Sequence, residues 1–348
     1  MTGHSEDETK SLSVKDVKEK RVSFPPDEEM VSDFVERRAE LQQADSLTLT
    51  DIILAYKQSC EQHHVNPNPK ALDQLKQVTC VTDRARCFDL SGERLDYCSC
   101  ESLEEILKSV QFDFISLQGA ELEENGASAL LDMVLYYESA THLDVSANSG
   151  MGFSGWLSLS HLLRQSGCLW RLDACNMPMV DYAAQALLKA LLTSRLTVLH
   201  LENTCLSGKP VLHLQHVDPF DIWGPLDRPP HSSQRDAQLL IIAIDRNVAL
   251  QELYLSENNL NGYQDSMQVA DLLKFNNTLK TLDLSNNATS DSGLEEICDA
   301  LSFQKTGLRT LILSNNHITH LGMSHLQNVL KGRKEDKGNG TVANKRKD

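Results

Sequence analysis

The residues best equipped for recognition chemistry lie near the start of the chain, in Lys20-Arg21-Val22-Ser23-Phe24-Pro25-Pro26 followed by Asp27-Glu28-Glu29. In an extended segment side chains alternate, so Val22 and Phe24 fall on one side and can enter two apolar pockets while the backbone pairs with the edge of a partner's sheet. Lys20 and Arg21 would steer the segment toward an acidic rim. Met30 and Val31, beginning six residues after Phe24, are candidates for a second apolar anchor. Ser23 follows a basic pair, as basophilic kinase sites do. A phosphate there would bring a charge of about −1.5 to −2 beside two pocket-bound apolar residues, which makes Ser23 a candidate release switch.

Other chemistry is poorly supplied. Cys98-Ser99-Cys100 with Cys87 lacks the paired Cys/His spacing of a four-ligand metal site, and His63-His64 and His213-x-x-His216 stand without thiolate or carboxylate companions. There is no Gly-x-Ser-x-Gly, no phosphate-cradling Gly-rich loop and no kinase signature. The expectation is a non-catalytic protein with no metal and no cofactor.

A fixed period organises the chain behind this segment. Leu-x-Leu-x-x-Asn is clearest at Leu253, Leu282 and Leu311, which are 29 residues apart, with Asn258, Asn287 and Asn316 in the last position. Weaker copies start at Leu199, Leu172, Leu143, Ile115 and Phe88, in steps of 27, 29, 28 and 27. This is the leucine-rich repeat in its long form, whose second half is a helix. The flanking apolar residues of Leu-x-Leu face inward from a short parallel strand, the middle residue faces outward, and the Asn bonds backbone groups where the chain turns off the strand. Leu294, Ile297, Cys298 and Leu301 have helical spacing, so that helix should cover the convex side. The fold class is therefore α/β, a ribonuclease-inhibitor-like leucine-rich repeat horseshoe. On its concave side the outward residues include Asp89, Asp144, Asp173 and Asp283, with Glu202 and Glu252 nearby, an acidic surface able to hold a basic partner.

The period sets the domain organisation. Residues 1–45 hold 7 Lys+Arg and 12 Asp+Glu with few large apolar residues, and are read as a disordered docking arm. Residues 46–80 are read as a helical cap, with Thr50 capping one helix and Pro69, Leu72, Leu75 and Val78 marking a second. The repeats fill 81–330, interrupted between Leu199 and Leu253, a step of 54 residues. The stretch 213–235 there holds four of the chain's ten prolines and reads as an inserted loop. A degenerate extra repeat is the alternative. The polar run 331–348 is expected to be disordered and to leave the last repeat uncapped.

Composition limits the partners. A net charge of −16 argues against nucleic acid and anionic membranes, and no apolar run approaches the roughly 20 residues that span a bilayer. Nine cysteines, odd in number and irregularly spaced, read as reduced thiols. With no export or lipidation signal apparent, an intracellular protein of cytoplasm, nucleus or both is expected.

The basic pair followed by Val, one residue and Phe resembles the docking motif by which many regulators bind the catalytic subunit of protein phosphatase 1. Together with Ala55-Tyr56-Lys57-Gln58, Tyr136-Tyr137-Glu138-Ser139-Ala140-Thr141-His142-Leu143, Leu199-His200-Leu201-Glu202-Asn203 and Glu252-Leu253-Tyr254-Leu255, it makes the chain resemble the protein phosphatase 1 regulatory subunit 37 family, also called leucine-rich repeat-containing protein 68, from about Glu19 to Leu330. The resemblance implies a regulator that binds protein phosphatase 1 through Arg21, Val22, Ser23 and Phe24 and inhibits it. Family members continue with further repeats and a low-complexity tail, and the Pro-rich insertion is foreign to them, so a shortened or alternatively spliced form is expected. The alternative function is a scaffold holding another protein on the concave surface, as ribonuclease inhibitor does. A Ran GTPase-activating role on a similar horseshoe lacks a catalytic constellation here.

Overall fold

The structure, a computed structural model, describes residues 48–179, 181–206, 247–303, 307–335 and 341–343. Eight strands follow the expected period: β1 Ala85–Asp89, β2 Phe112–Ser116, β3 Ala140–Asp144, β4 Arg171–Asp173, β5 Val198–His200, β6 Glu252–Tyr254, β7 Thr281–Asp283 and β8 Thr310–Ile312. A ninth, β9 Thr341–Ala343, pairs with β8, and all nine lie parallel in chain order. Phe88, Ile115, Leu143, Leu172, Leu199, Leu253, Leu282 and Leu311 stand in register through the sheet and are at most 2% exposed. They form one wall of a continuous core, which each unit completes only by stacking on its neighbours.

Two short helices precede the sheet, α1 Leu49–Gln62 and α2 Pro69–Leu75. Thr48, not Thr50, caps α1: its hydroxyl accepts from the amide of Asp51, and the Asp51 carboxylate accepts from the amide of Thr48. The reciprocal bond places the start two residues earlier. In α2, Asn68 caps and Pro69 occupies the first turn, where its missing N–H costs nothing. This helix closes the open edge of β1. The Gln74 side-chain amide donates to the Asp89 carbonyl and accepts from the Asp89 N–H, both at 2.7 Å, as a further strand would.

The repeats place their helices against the other side of the core: α3 Tyr97–Ser102 and α4 Glu104–Ser109 in the first, then α5 Glu124–Tyr136, α6 Gly152–Gln165, α7 Asp181–Leu191, α8 Tyr263–Phe275, α9 Asp291–Phe303 and α10 His320–Glu335. In α9 the buried residues include Leu294, Ile297, Cys298 and Leu301, the stripe read from spacing. Close approach of α8 and α9 requires Gly293, where a Cβ would fall 2.3 Å from the Ser266 hydroxyl.

Each turn off a strand carries a left-handed residue two places after the second apolar position: Gly92, Gly119, Ala147, Asn176, Asn203, Glu257, Asn286 and Asn315, with φ between 51° and 71°. The next residue is the ladder position. Asn287 shows the pattern: its Oδ1 accepts from the amides of Asn258 and Leu260, and its Nδ2 donates to the carbonyls of Leu255 and Ser285. Paired asparagines such as Asn286-Asn287 therefore divide two tasks, positive φ and bonding to the neighbouring rung.

β5 pairs directly with β6, Leu199 opposite Leu253, so the two strands are neighbours in the sheet. The Pro-rich stretch itself lies outside the described residues. At the other end α10 runs to Glu335, and Val342 of β9 stands in register with Leu311. The expected polar tail thus begins later than residue 331 and contributes a strand: Lys, Arg and Glu are good helix formers, and a parallel neighbour satisfies the edge of β8.

Candidate functional site

Lys20, Arg21, Val22, Ser23, Phe24, Met30 and Val31 lie outside the described residues, so the structure addresses the second candidate, the sheet face away from the helices. Two rows of residues form it. Cys87, Phe114, His142, Arg171, Val198, Glu252, Thr281 and Thr310 make one; Asp89, Ser116, Asp144, Asp173, His200, Tyr254, Asp283 and Ile312 make the other. The sequence reading followed the middle residue of each Leu-x-Leu and so found the second row, with Glu252 alone from the first. The residue before each first Leu shares the same face by the period of two, a signal available in the sequence and not used.

The centre of this face is aromatic and cationic as well as acidic, which corrects the expectation of a plain carboxylate surface. Asp173 is the clearest departure: it is buried, its Oδ2 lies 2.5 Å from His142 Nε2, and its Oδ1 lies 3.1 Å from Arg171 Nε and 3.3 Å from His200 Nδ1. Burial alone would raise its pKa, but bonds from His142 and Arg171 and the charge of the neighbouring histidines hold the carboxyl below its usual value. Asp173 is consumed inside the protein and is not a contact residue. Burial pushes the His200 imidazole down, against the opposing pull of Asp173. Around this lock stand rings: Phe114 stacks on His142 at 4.2 Å, Trp170 lies 6.1 Å from His142 and is 44% exposed, and Tyr254 packs on His200 at 4.0 Å.

The other carboxylates divide. Asp89 pairs with Lys70 at 3.1 Å, so its charge is compensated. Asp144 and Asp283 each accept from a turn amide, Ser146 and Ser285, at 2.9 and 2.8 Å. Glu252 accepts from the Tyr254 hydroxyl at 2.9 Å, and after burial this contact helps push that phenol up to about 12. Glu202 is half-buried beside His200. Asp144, Glu202, Glu252 and Asp283 therefore supply the acidic character of the face.

Among the described residues no group of three or more His, Cys, Asp or Glu has the geometry of a metal site. All nine cysteines are free; Cys60, Cys100 and Cys298 are buried, whereas Cys80, Cys87 and Cys205 are exposed. Among the described residues no helix is long and apolar enough to cross a membrane.

Comparison with known proteins follows from this architecture. The Leucine Rich Repeat family model matches residues 307–329. The chain is 45% identical over 308 residues to Protein phosphatase 1 regulatory subunit 37 of Bos taurus, covering 88% of this chain and 40% of that protein, and equally to the Homo sapiens protein, of which it covers 41%. The family resemblance drawn from the sequence is thus borne out, and the chain spans about two fifths of the length of the curated relatives it matches. Among solved structures, the tropomodulin C-terminal domain of Caenorhabditis elegans matches 60% of this chain and 93% of its own at 11% identity, with a TM-score of 0.30. The relatives' name is that of a regulatory subunit, and no enzyme activity is part of it.

Proposed function

We propose that the chain is a non-catalytic regulatory subunit that docks on the catalytic subunit of protein phosphatase 1 through Arg21-Val22-Ser23-Phe24 and lowers its activity. The observation that carries this is the 45% identity over 88% of the chain to proteins named as regulatory subunits of that phosphatase. The segment supplies a chemical means: an extended strand with Val22 and Phe24 on one side, Lys20 and Arg21 as steering charges, and Met30-Val31 as a further anchor. Phosphate on Ser23 opposes docking by placing charge against two desolvated apolar side chains. Nine free thiols fit a reducing intracellular compartment, cytoplasmic or nuclear.

The test is dephosphorylation of a phosphoprotein substrate by the catalytic subunit while this chain is titrated in. Saturable inhibition that disappears in Val22→Ala/Phe24→Ala supports both halves of the proposal; full activity at saturating chain contradicts the inhibitory half. Peptides spanning residues 18–32, with and without phosphate on Ser23, separate the switch: equal affinity sinks it.

A second protein on the sheet face is a further reading, favoured by the exposed Trp170 beside Arg171 and Tyr254. These residue types dominate the energetics of protein interfaces.

A further inference from the structure

The composition of the open sheet face from β3 to β7 selects one kind of partner, and this inference rests on reading that face as a partner surface. Arg171 is the one Lys or Arg within strands β2–β7, and its Nε lies 3.1 Å from Asp173 Oδ1. Its charge is thereby answered within the protein, and Asp173 engages His142 and His200 as well. What the face offers outward is a different balance. Asp144, Glu252 and Asp283 stand in the two outward rows, and among the described residues no lysine or arginine forms an ion pair with any of them. Tyr254 stands among them, its hydroxyl tethered to Glu252 at 2.9 Å; Trp170, 44% exposed, lies just before β4, in the row that also carries Lys280, bonded to the Gln251 side chain, and Arg309.

The geometry points to a binding site for an arginine-bearing segment of a second protein, with guanidinium groups over Trp170 and Tyr254 and against Asp144, Glu252 and Asp283. Arginine fits better than lysine for two physical reasons. A planar guanidinium stacks on an indole or phenol face, and it meets a carboxylate with two parallel N–H bonds. The lock on Asp173 adds rigidity: with His142, Arg171 and His200 tied to one carboxylate, and Phe114 stacked on His142 at 4.2 Å, the site is formed before a partner arrives. An acidic segment would meet uncompensated carboxylates on both sides of the aromatic centre.

The experiment uses the full chain with three fluorescent probes, hexa-arginine, hexa-lysine and hexa-glutamate, titrated by anisotropy at low and at physiological salt. Hexa-arginine should bind saturably, at least about five-fold tighter than hexa-lysine, and weaken at least about ten-fold in Trp170→Ala/Tyr254→Ala. Glu252→Gln/Asp283→Asn, which keeps both local hydrogen-bond acceptors, should weaken it about as much, while Glu295→Gln/Asp299→Asn on α9 should not. Circular dichroism of each variant excludes loss of folding as the cause. Hexa-arginine binding that survives both sheet-face variants overturns the proposal. Hexa-glutamate binding that the sheet-face variants abolish leaves the partner surface standing and overturns its arginine preference. Failure of all three probes overturns the site, and none of these outcomes bears on phosphatase docking through Val22 and Phe24.

Discussion

Asn258 and Thr204 are 54 positions apart in the chain, yet Oδ1 of Asn258 accepts from both the backbone N–H and the hydroxyl of Thr204, each at 2.9 Å. The Nδ2 of Asn258 donates to the Leu201 carbonyl at 2.6 Å, so one buried amide stitches the rung before the insertion to the rung after it. Asn258→Ala leaves the amides of Thr204 and Leu206 and the Leu201 carbonyl without this partner. Each unsatisfied buried group costs about 1–3 kcal/mol and the losses are not additive, so a destabilisation of about 3 kcal/mol is expected in urea unfolding. A loss under about 1 kcal/mol would show that the rungs hold together by apolar packing alone.

The left-handed turn positions give a prediction of opposite sign. Glu257 and Ala147 both adopt φ of 58°, where a Cβ is unfavourable, while the equivalent residues Asn286 and Asn315 suit the region. Glu257→Gly and Ala147→Gly should each raise stability by about 1 kcal/mol, and Asn286→Gly should change it little. A lower melting temperature for both glycine variants would contradict the strain argument.

At the N-terminal edge, Gln74 imitates a neighbouring strand for Asp89. Gln74→Leu should cost about 1–2 kcal/mol and speed hydrogen exchange at the Asp89 amide while leaving the amides of β7 unchanged. Unaltered exchange at Asp89 would mean the edge is protected by other means.

Acid should loosen the centre of the sheet. The His200 pKa lies below its ordinary 6.5 because of burial, with Asp173 and Glu202 pulling it up and Arg171 and His142 pulling it down. The unfolded chain takes up this proton near pH 6.5 and the folded chain only at lower pH, so the contribution is full above about 6.5 and is lost as pH falls through the folded value. Between about pH 7.5 and about pH 5, His200→Gln should lose less of its urea midpoint than the unchanged chain. Parallel losses would remove His200 as the cause.

Much of this was legible in the residues. The period placed eight strands to within three residues, and Leu294, Ile297, Cys298 and Leu301 marked the buried side of α9, because apolar spacing reports burial directly. The asparagine ladder followed from the one residue type able to donate and accept at a turn. Thr48 was missed because a capping box is told by the reciprocal bond to Asp51, and Thr50 offered the same side chain two places later. Asp173 was misjudged for a deeper reason: beside Arg171 of its own strand, its partners His142 and His200 come from β3 and β5, and pairing across rungs depends on register, which one strand's sequence does not contain. Arg171 was missed for a different reason, since the period of two already put the residue before Leu172 on the open face.

The central claim, that the chain is held on protein phosphatase 1 by Val22 and Phe24, is tested most directly by calorimetry of the full chain with the catalytic subunit beside Val22→Ala/Phe24→Ala. Burying each of these side chains stabilises a complex by about 1.5–3 kcal/mol, so the double variant should bind at least about 100-fold more weakly. Equal affinity for the two proteins would place phosphatase binding, if it occurs, on the repeats and contradict the account.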